Sequence, residues 1–186
     1  MKTSKIWYAF FIIVITVAFG ASCNTEPDEY IPVVLDFDIT IPEDWAYNKD
    51  GLAEPYVYIA ISPTEYDDFD INEDMWIAKM NLGGANLSTF YSEAKESIEE
   101  RDNYSFISED LDTAINGAPC IILTQGETVS FYIPNTGTVN LPLIVRRYFL
   151  THSGNGYLVT CNSLDSTYVR FKPVFDTIMS SFTFKD

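Results

Sequence analysis

The stretch IVRRYFLTHSGNGYLVTCN, Ile144 to Asn162, decides the fold. Two strand-like runs flank Ser153-Gly154-Asn155-Gly156, residues that tolerate positive φ, so the segment predicts an antiparallel hairpin. Alternation along its first arm places Ile144, Arg146, Tyr148, Leu150 and His152 on one side and Arg147 with Phe149 on the other. Upstream, VLDFDITI alternates Leu35, Phe37, Ile39 and Ile41 against Asp36, Asp38 and Thr40, the pattern of a half-buried strand. YVYIAIS, Tyr56 to Ser62, is apolar on both faces and suits a central strand covered on two sides. MWIAKM, YSFIS, PCIILTQ and TVSFYI read as further strands, and PNTGTVNLP, Pro134 to Pro142, reads as a loop.

Two segments carry helical period. In NLSTFYSEAKESIEER, Leu87, Phe90, Ala94 and Ile98 form one stripe, with Asn86 or Ser88 as N-cap and Arg101 near the negative end. In STYVRFKPVFDTIMSSF, Phe171, Phe175, Ile178 and Phe182 align, and Pro173 either starts the main helix or kinks a longer one. Antiparallel-looking strands with two long helices predict an α+β fold, an antiparallel sheet flanked by helices.

The N-terminus has a different character. Lys2 and Lys5 precede an apolar run from Ile6 to Ala21, and small residues then lead to Cys23, the layout of a secretory signal. The run is also close to the minimum for a membrane-spanning helix, so an uncleaved anchor competes, as does plain secretion. Gly20-Ala21-Ser22-Cys23 resembles a bacterial lipobox, with Gly20 where Leu is usual. This implies residues 1–22 as a lipoprotein signal peptide and Cys23 as the lipidation site. Residues 23–32 then form a lipidated, acidic tether, and 33–186 a single domain. Asn24 resembles a signal for the outer membrane. Glu26, Asp28 and Glu29 resemble surface-export signals of Bacteroidota lipoproteins, or simply keep the tether hydrated.

Loss of Lys2 and Lys5 takes the formal net charge from −16 to −18. Such a surface excludes nucleic acid, whose binding needs clustered Lys and Arg, and is repelled by anionic lipid headgroups. With 47% hydrophobic and 15% aromatic residues, the chain still has enough apolar side chains for a core. Cys120 and Cys161 lie in strand-like runs. An oxidising compartment permits a disulfide between them, and packing as small hydrophobes is the alternative.

Chemistry is harder to find. EYDDFDINED, Glu65 to Asp74, opens like a calcium loop, but an EF-hand frame from Asp68 puts Glu73 at position 6 and Lys79 at position 12. The frame from Asp70 gives Met75 and Asn81, so neither supplies the required Gly and Glu. A looser, calcium-dependent module using Asp67, Asp68 or Asp70 remains open beside a solvated acidic turn. The single histidine, His152, has no evident nucleophile partner, and a small envelope hydrolase would have to use it or carboxylates. Arg146 beside Tyr148 suits an anionic ligand or a salt bridge. NLGGANLS lacks the Lys-Ser/Thr pair of a P-loop and reads as a strand-to-helix turn, with an anion at the helix N–H groups as the other reading. No motif implies a metal or other cofactor, and the chain reads as a non-enzyme.

Several segments also occur in a telling order. FDITIPEDW carries Pro42 and Trp45; YIAISPTEYDDFDINEDMWIAKM joins two strands through a Ser-Pro corner; NGAPCIIL opens a strand at Asn116; GYLVTCNS and FKPVFDTIMSSFTF close the chain. In this order they resemble the PsbP-like family, named for the extrinsic lumenal protein of the oxygen-evolving photosystem, which has bacterial lipoprotein relatives. The resemblance spans roughly Val33 to Phe184. It implies an α-β-α sandwich and a binding or accessory role, here that of a lipid-anchored envelope protein with an envelope protein partner. Within it, Phe69 is expected to pack inward and Asn72 to brace the turn through its amide, with Asp67, Asp68 and Asp70 facing water.

Overall fold

The hairpin forms where the sequence places it. In the computed structural model, which describes residues 34–63, 72–133 and 137–185, β7 (Gly137–His152) and β8 (Asn155–Leu164) pair from Leu143↔Leu164 to His152↔Asn155. Ser153 and Gly154 turn the chain with φ of 48° and 78°. Positive φ at both central residues gives a two-residue turn whose twist matches that of the strands.

β6 (Ala118–Ile133) pairs with β7 without a shift, from Cys120↔Leu150 to Ile133↔Gly137. Two expectations are corrected here. PCIILTQ and TVSFYI are one strand, and residues 137–142, read as loop, form the first part of β7. Val139 and Leu141 alternate with Thr138 and Asn140, and that period outweighs the turn-forming composition around them. Gly126 lets β6 continue beside its neighbour, because a Cβ there would lie 2.5 Å from Ser105 Oγ.

The main sheet has seven strands, ordered β2 (Ala46–Asn48), β3 (Tyr56–Ile61), β4 (Asp74–Asn81), β8, β7, β6 and β5 (Tyr104–Ile115). All neighbours run antiparallel. VLDFDITI is less regular than expected. Only β1 (Phe37–Asp38) pairs, and it does so with β9 (Thr183–Phe184) in a separate ribbon. The inward pattern nevertheless holds: Phe37 is buried, and Leu35, Ile39 and Ile41 pack against the same core.

One helix covers each face. Before α1 (Leu87–Glu99), Asn86 Oδ1 accepts the Thr89 N–H at 3.0 Å, so Asn86 rather than Ser88 is the cap. Phe90, Tyr91 and Ile98 of α1 pack on Ile121, Leu123, Phe149 and Leu158. On the opposite face, Phe171, Phe175 and Ile178 of α2 (Tyr168–Ser181) meet Tyr148, Leu150 and Val159. Pro173 lies inside α2 on an exposed position, so the longer-helix alternative holds. This is the α-β-α arrangement expected.

Cys120 and Cys161 are free and buried. β7 runs between their strands, with Cys120 opposite Leu150 and Cys161 opposite Arg146. Two strand spacings are about 9.5 Å, beyond the roughly 7 Å limit for bridging Cα atoms. Burial pushes the Cys120 thiol up to about 12.

Phe149 is fully buried, with its ring edge-on to Phe90 at 5.5 Å and Tyr91 at 5.1 Å. Phe149→Ala should cost about 3–5 kcal/mol, read as a lower urea midpoint. A loss below 1 kcal/mol would mean α1 does not seal this face.

Candidate functional site

The residues singled out for chemistry are mostly committed to structure. Arg146 Nε donates to Tyr148 Oη at 2.8 Å and its Nη1 to Thr124 Oγ1 at 3.1 Å, while Nη2 lies 3.3 Å from Asp176 Oδ1. Tyr148 Oη donates to the same Asp176 oxygen at 3.1 Å. Arg146 therefore fastens α2 to the sheet, the salt-bridge use of the two considered. His152 lies flat on Phe184, with ring centroids 4.4 Å apart. At NLGGANLS, Gly83 and Gly84 take φ of 58° and 94°, and the Thr89 N–H is already held by Asn86. The segment is a turn into α1.

Cys23, Phe69, Asp67, Asp68 and Asp70 lie outside the described residues. Asn72 does brace this corner, donating from Nδ2 to the Ser62 carbonyl. Its neighbour Glu73 departs from a solvated turn, being only 2% exposed. The Glu73 carboxylate accepts from Ser62 Oγ at 3.2 Å and Thr167 Oγ1 at 2.5 Å, joining β3 and β4 to the start of α2. Asp74 accepts from Asn162 Nδ2 at 2.5 Å. Burial pushes its carboxyl up to about 6 despite donors from Asn162 and Trp76, and the nearby Glu73 adds to the rise. Among the described residues no group of three or more Asp, Glu, His or Cys is placed to hold a metal ion.

On the α1 face, Glu127 Oε1 accepts from Gln125 Nε2 at 2.5 Å, Arg147 Nη2 at 3.1 Å and Arg101 Nη1 at 3.2 Å. Arg101, just beyond the end of α1, thereby ties the helix to β6 and β7. This buried ion cluster is a fixture of the core.

The flank made by α1 and β5 differs. Among the described residues β5 pairs only with β6, so its outer edge carries no strand. Phe106, Ile107 and Leu111 are 54%, 48% and 59% exposed along it. Pairing with β6 shifts register between Phe106 and Ser108 and again between Asp110 and Thr113. Glu109 anchors the strand to α1. Its carboxylate accepts from Tyr91 Oη and, at 3.1 and 3.2 Å, from Lys95 Nζ. These two donors, Tyr91 first, hold the Glu109 carboxyl below its ordinary range. The Lys95 ammonium also sits 5.7 Å from the Phe106 ring centroid. Above this clasp an open trough of about 460 Å³ is lined by Tyr91, Ser92, Lys95, Glu96, Glu99 and Glu100. From Glu93 to Asp112 the sequence holds eight carboxylates against Lys95 and Arg101, and both bases are already paired. Sequence reasoning missed this surface, because YSFIS gave only the first part of β5. The run of Glu109, Asp110 and Asp112 was the available signal, since charges are how natural sheets guard an open edge.

No family model matches the sequence, and no curated protein does. Solved structures do share its fold. LpqN of Mycobacterium tuberculosis, described as involved in cell envelope biogenesis, superimposes with a TM-score of 0.54 at 12% identity, over 86% of this chain and 87% of that one. Cyanobacterial PsbP (CyanoP) of Synechocystis gives 0.54 at 12% identity over 80% and 86%. The Ran-binding protein Mog1p of Saccharomyces cerevisiae gives 0.52 at 9% identity over 81% and 91%. The chain thus has a PsbP/Mog1-like α+β fold, as the resemblance implied.

The half-buried Asp74 gives a test of this corner. Its carboxyl titrates above the unfolded value of 3.8, so between about pH 4 and 6 the folded state keeps a proton that the unfolded state releases. Stability from this group therefore falls as pH rises through that window. Asp74→Asn keeps an acceptor for Asn162 and should stabilise the fold by on the order of 1 kcal/mol at pH 7, with a smaller gain at pH 4. Urea unfolding at the two pH values measures it, and destabilisation at pH 7 would show that the charge itself is needed.

Proposed function

We propose that this chain is a lipid-anchored protein of the bacterial cell envelope that binds a partner protein through the α1–β5 flank and performs no catalysis. The observation that carries the binding role is the β5 edge, where three large apolar side chains are exposed beside a row of carboxylates. Exposed apolar groups rimmed by polar ones are a mark of interaction sites. The other strong polar clusters support a non-catalytic reading, because Arg146, Glu73, Asp74 and Glu127 are each used to join elements of the fold. Structures of this fold include a Ran-binding protein and a protein of cell envelope biogenesis, so the scaffold is compatible with such a role.

The anchor rests on the N-terminal sequence: Lys2, Lys5, the apolar run, and Cys23 after Gly20-Ala21-Ser22. Residues 1–22 would be removed, Cys23 would carry the acyl chains, and the acidic residues to 32 would act as the tether. Two or more acyl chains give stable attachment, at about 0.8 kcal/mol for each buried methylene. A lipid is also what so acidic a protein needs, since its own surface is repelled by anionic headgroups. Among the described residues no helix is long and apolar enough to cross a membrane. Asn24 favours the outer membrane as the destination.

Two measurements test the halves of this reading separately. In a detergent phase partition of cells, the wild-type chain should enter the detergent phase and a chain beginning at Asn24 should not. Wild-type protein in the aqueous phase would overturn the anchor. For the binding face, a photo-crosslinking residue at Phe106 should capture an envelope protein in intact cells. The same group at Val169, 84% exposed on α2, should not. Equal capture from both positions would remove the flank as the binding face.

A further inference from the structure

We infer that β5 is a strand acceptor, and that its partner is a short, basic, extended segment of another protein which adds to the outer edge of β5. The inference rests on the flank being the binding face, and it names how that face binds and what it takes.

The backbone provides the first argument. A terminal strand presents a row of N–H and C=O groups with no partner, and main-chain pairing to such an edge is a recurrent way of capturing extended peptides. The two edges of the main sheet are unequal in this respect. β2 has three residues, whereas β5 has twelve. Of these two described edges β5 is the longer, offering three in-register runs set between its register shifts.

Side chains provide the second. An added strand lies about 4.8 Å away and brings its own side chains beside those of the acceptor on both faces. Phe106 and Ile107 lie on opposite faces of β5, Phe106 under Lys95 of α1 and Ile107 beside Gly126. An incoming strand would therefore find exposed apolar surface whichever way its side chains alternate. Half-exposed now, these groups would become buried on pairing.

Charge decides the occupant. Against a second copy of this chain paired antiparallel about Leu111, Asp110 of each copy would lie opposite Asp112 of the other. Like charges directly opposite each other in a sheet are destabilising. A segment with Lys or Arg at alternate positions would instead direct its cations to Asp110 or to Glu96 and Glu100, which rim the trough beside the strand. The two register shifts in β5 add a length limit. They break the straight edge near Phe106–Ser108 and Asp110–Thr113, so the regular part of the acceptor is short. A short acceptor suits a brief motif and resists open-ended stacking of sheets.

The test uses the mature chain with Cys23 replaced by alanine, which is soluble if lipid is its attachment, and a capped Lys-Val-Lys-Val-Lys-Val-Lys peptide as probe. Binding is followed by fluorescence anisotropy, and amide hydrogen exchange reports on Ser105 to Asp112. Saturable binding that weakens with salt and slows exchange in β5 is expected. N-methylation of alternate residues on one edge of the peptide removes its pairing N–H groups and should weaken binding by about tenfold or more. Leu111→Lys, at a 59% exposed position that should tolerate it, should weaken binding similarly while leaving the melting temperature unchanged.

Tight binding of the N-methylated peptide with no β5 protection, abolished by Glu96→Lys with Glu100→Lys, would overturn strand addition and leave the flank as the binding face. Binding indifferent to both Leu111→Lys and the α1 substitutions would overturn the flank as well. Absence of binding to the basic peptide, or β5-dependent self-association in sedimentation, would overturn the basic partner.

Discussion

β7 is hydrogen-bonded along both edges, to β6 over residues 137–150 and to β8 over 143–152, with no register shift in either ladder. Everything else in the domain takes its place from that register. A slip of one residue would send every side chain of β7 to the opposite face. Arg146 would leave Asp176 and Thr124, and Arg147 would leave Glu127. Two adjacent arginines thus serve opposite helices, one gripping α2 from beneath and the other sharing Glu127 with Arg101 at the end of α1. Apolar alternation alone tolerates some sliding. A buried arginine without its carboxylate is far less forgiving, since breaking such a pair costs about 3–5 kcal/mol.

Much of this architecture was legible because it rests on local period. The Ser153-Gly154 turn, the Phe90 and Ile98 stripe, the Phe171–Phe175–Ile178 stripe and the Asn86 cap all follow from spacing within a few residues. The failures share a different cause. Residues 137–142 look like loop because Gly137 and Pro142 punctuate them, yet Thr128–Ile133 lies opposite and converts them to strand. Leu35 to Ile41 alternate like a strand, yet only Phe37 and Asp38 find a partner, supplied by the far C-terminus. Glu73 reads as one more charge in an acidic run. It is buried because Ser62 and Thr167, distant in sequence, supply its hydrogen bonds.

The candidate site was hidden for the same reason. Whether a strand lies at the edge or the centre of a sheet is a property of topology, and Phe106, Ile107 and Leu111 look like ordinary core residues until β5 proves to be terminal. Their exposure then becomes informative. Other structures of this fold agree with the present one in architecture at 9–12% identity, so the sandwich withstands near-complete replacement of its residues. The fold by itself therefore does not say what a chain binds, and that has to be read from its own surface once the fold is known.

The corner where the chain joins the sheet has a mechanical side. Asp36 Oδ2 is held by Lys79 at 2.6 Å and Tyr157 at 2.5 Å, its carbonyl accepts from the Lys185 N–H, and the next residue, Phe37, stacks on Phe182. Any tension on the chain ahead of residue 34 reaches the domain through these few contacts. β1 and β9 form an antiparallel ribbon of only two residue pairs, far fewer than the ladders of the main sheet. The ribbon and its ion pair would yield first, as a fuse does, and the seven-stranded sheet behind them would be spared. The flank of α1 and β5 could then hold its shape while the ribbon gives way.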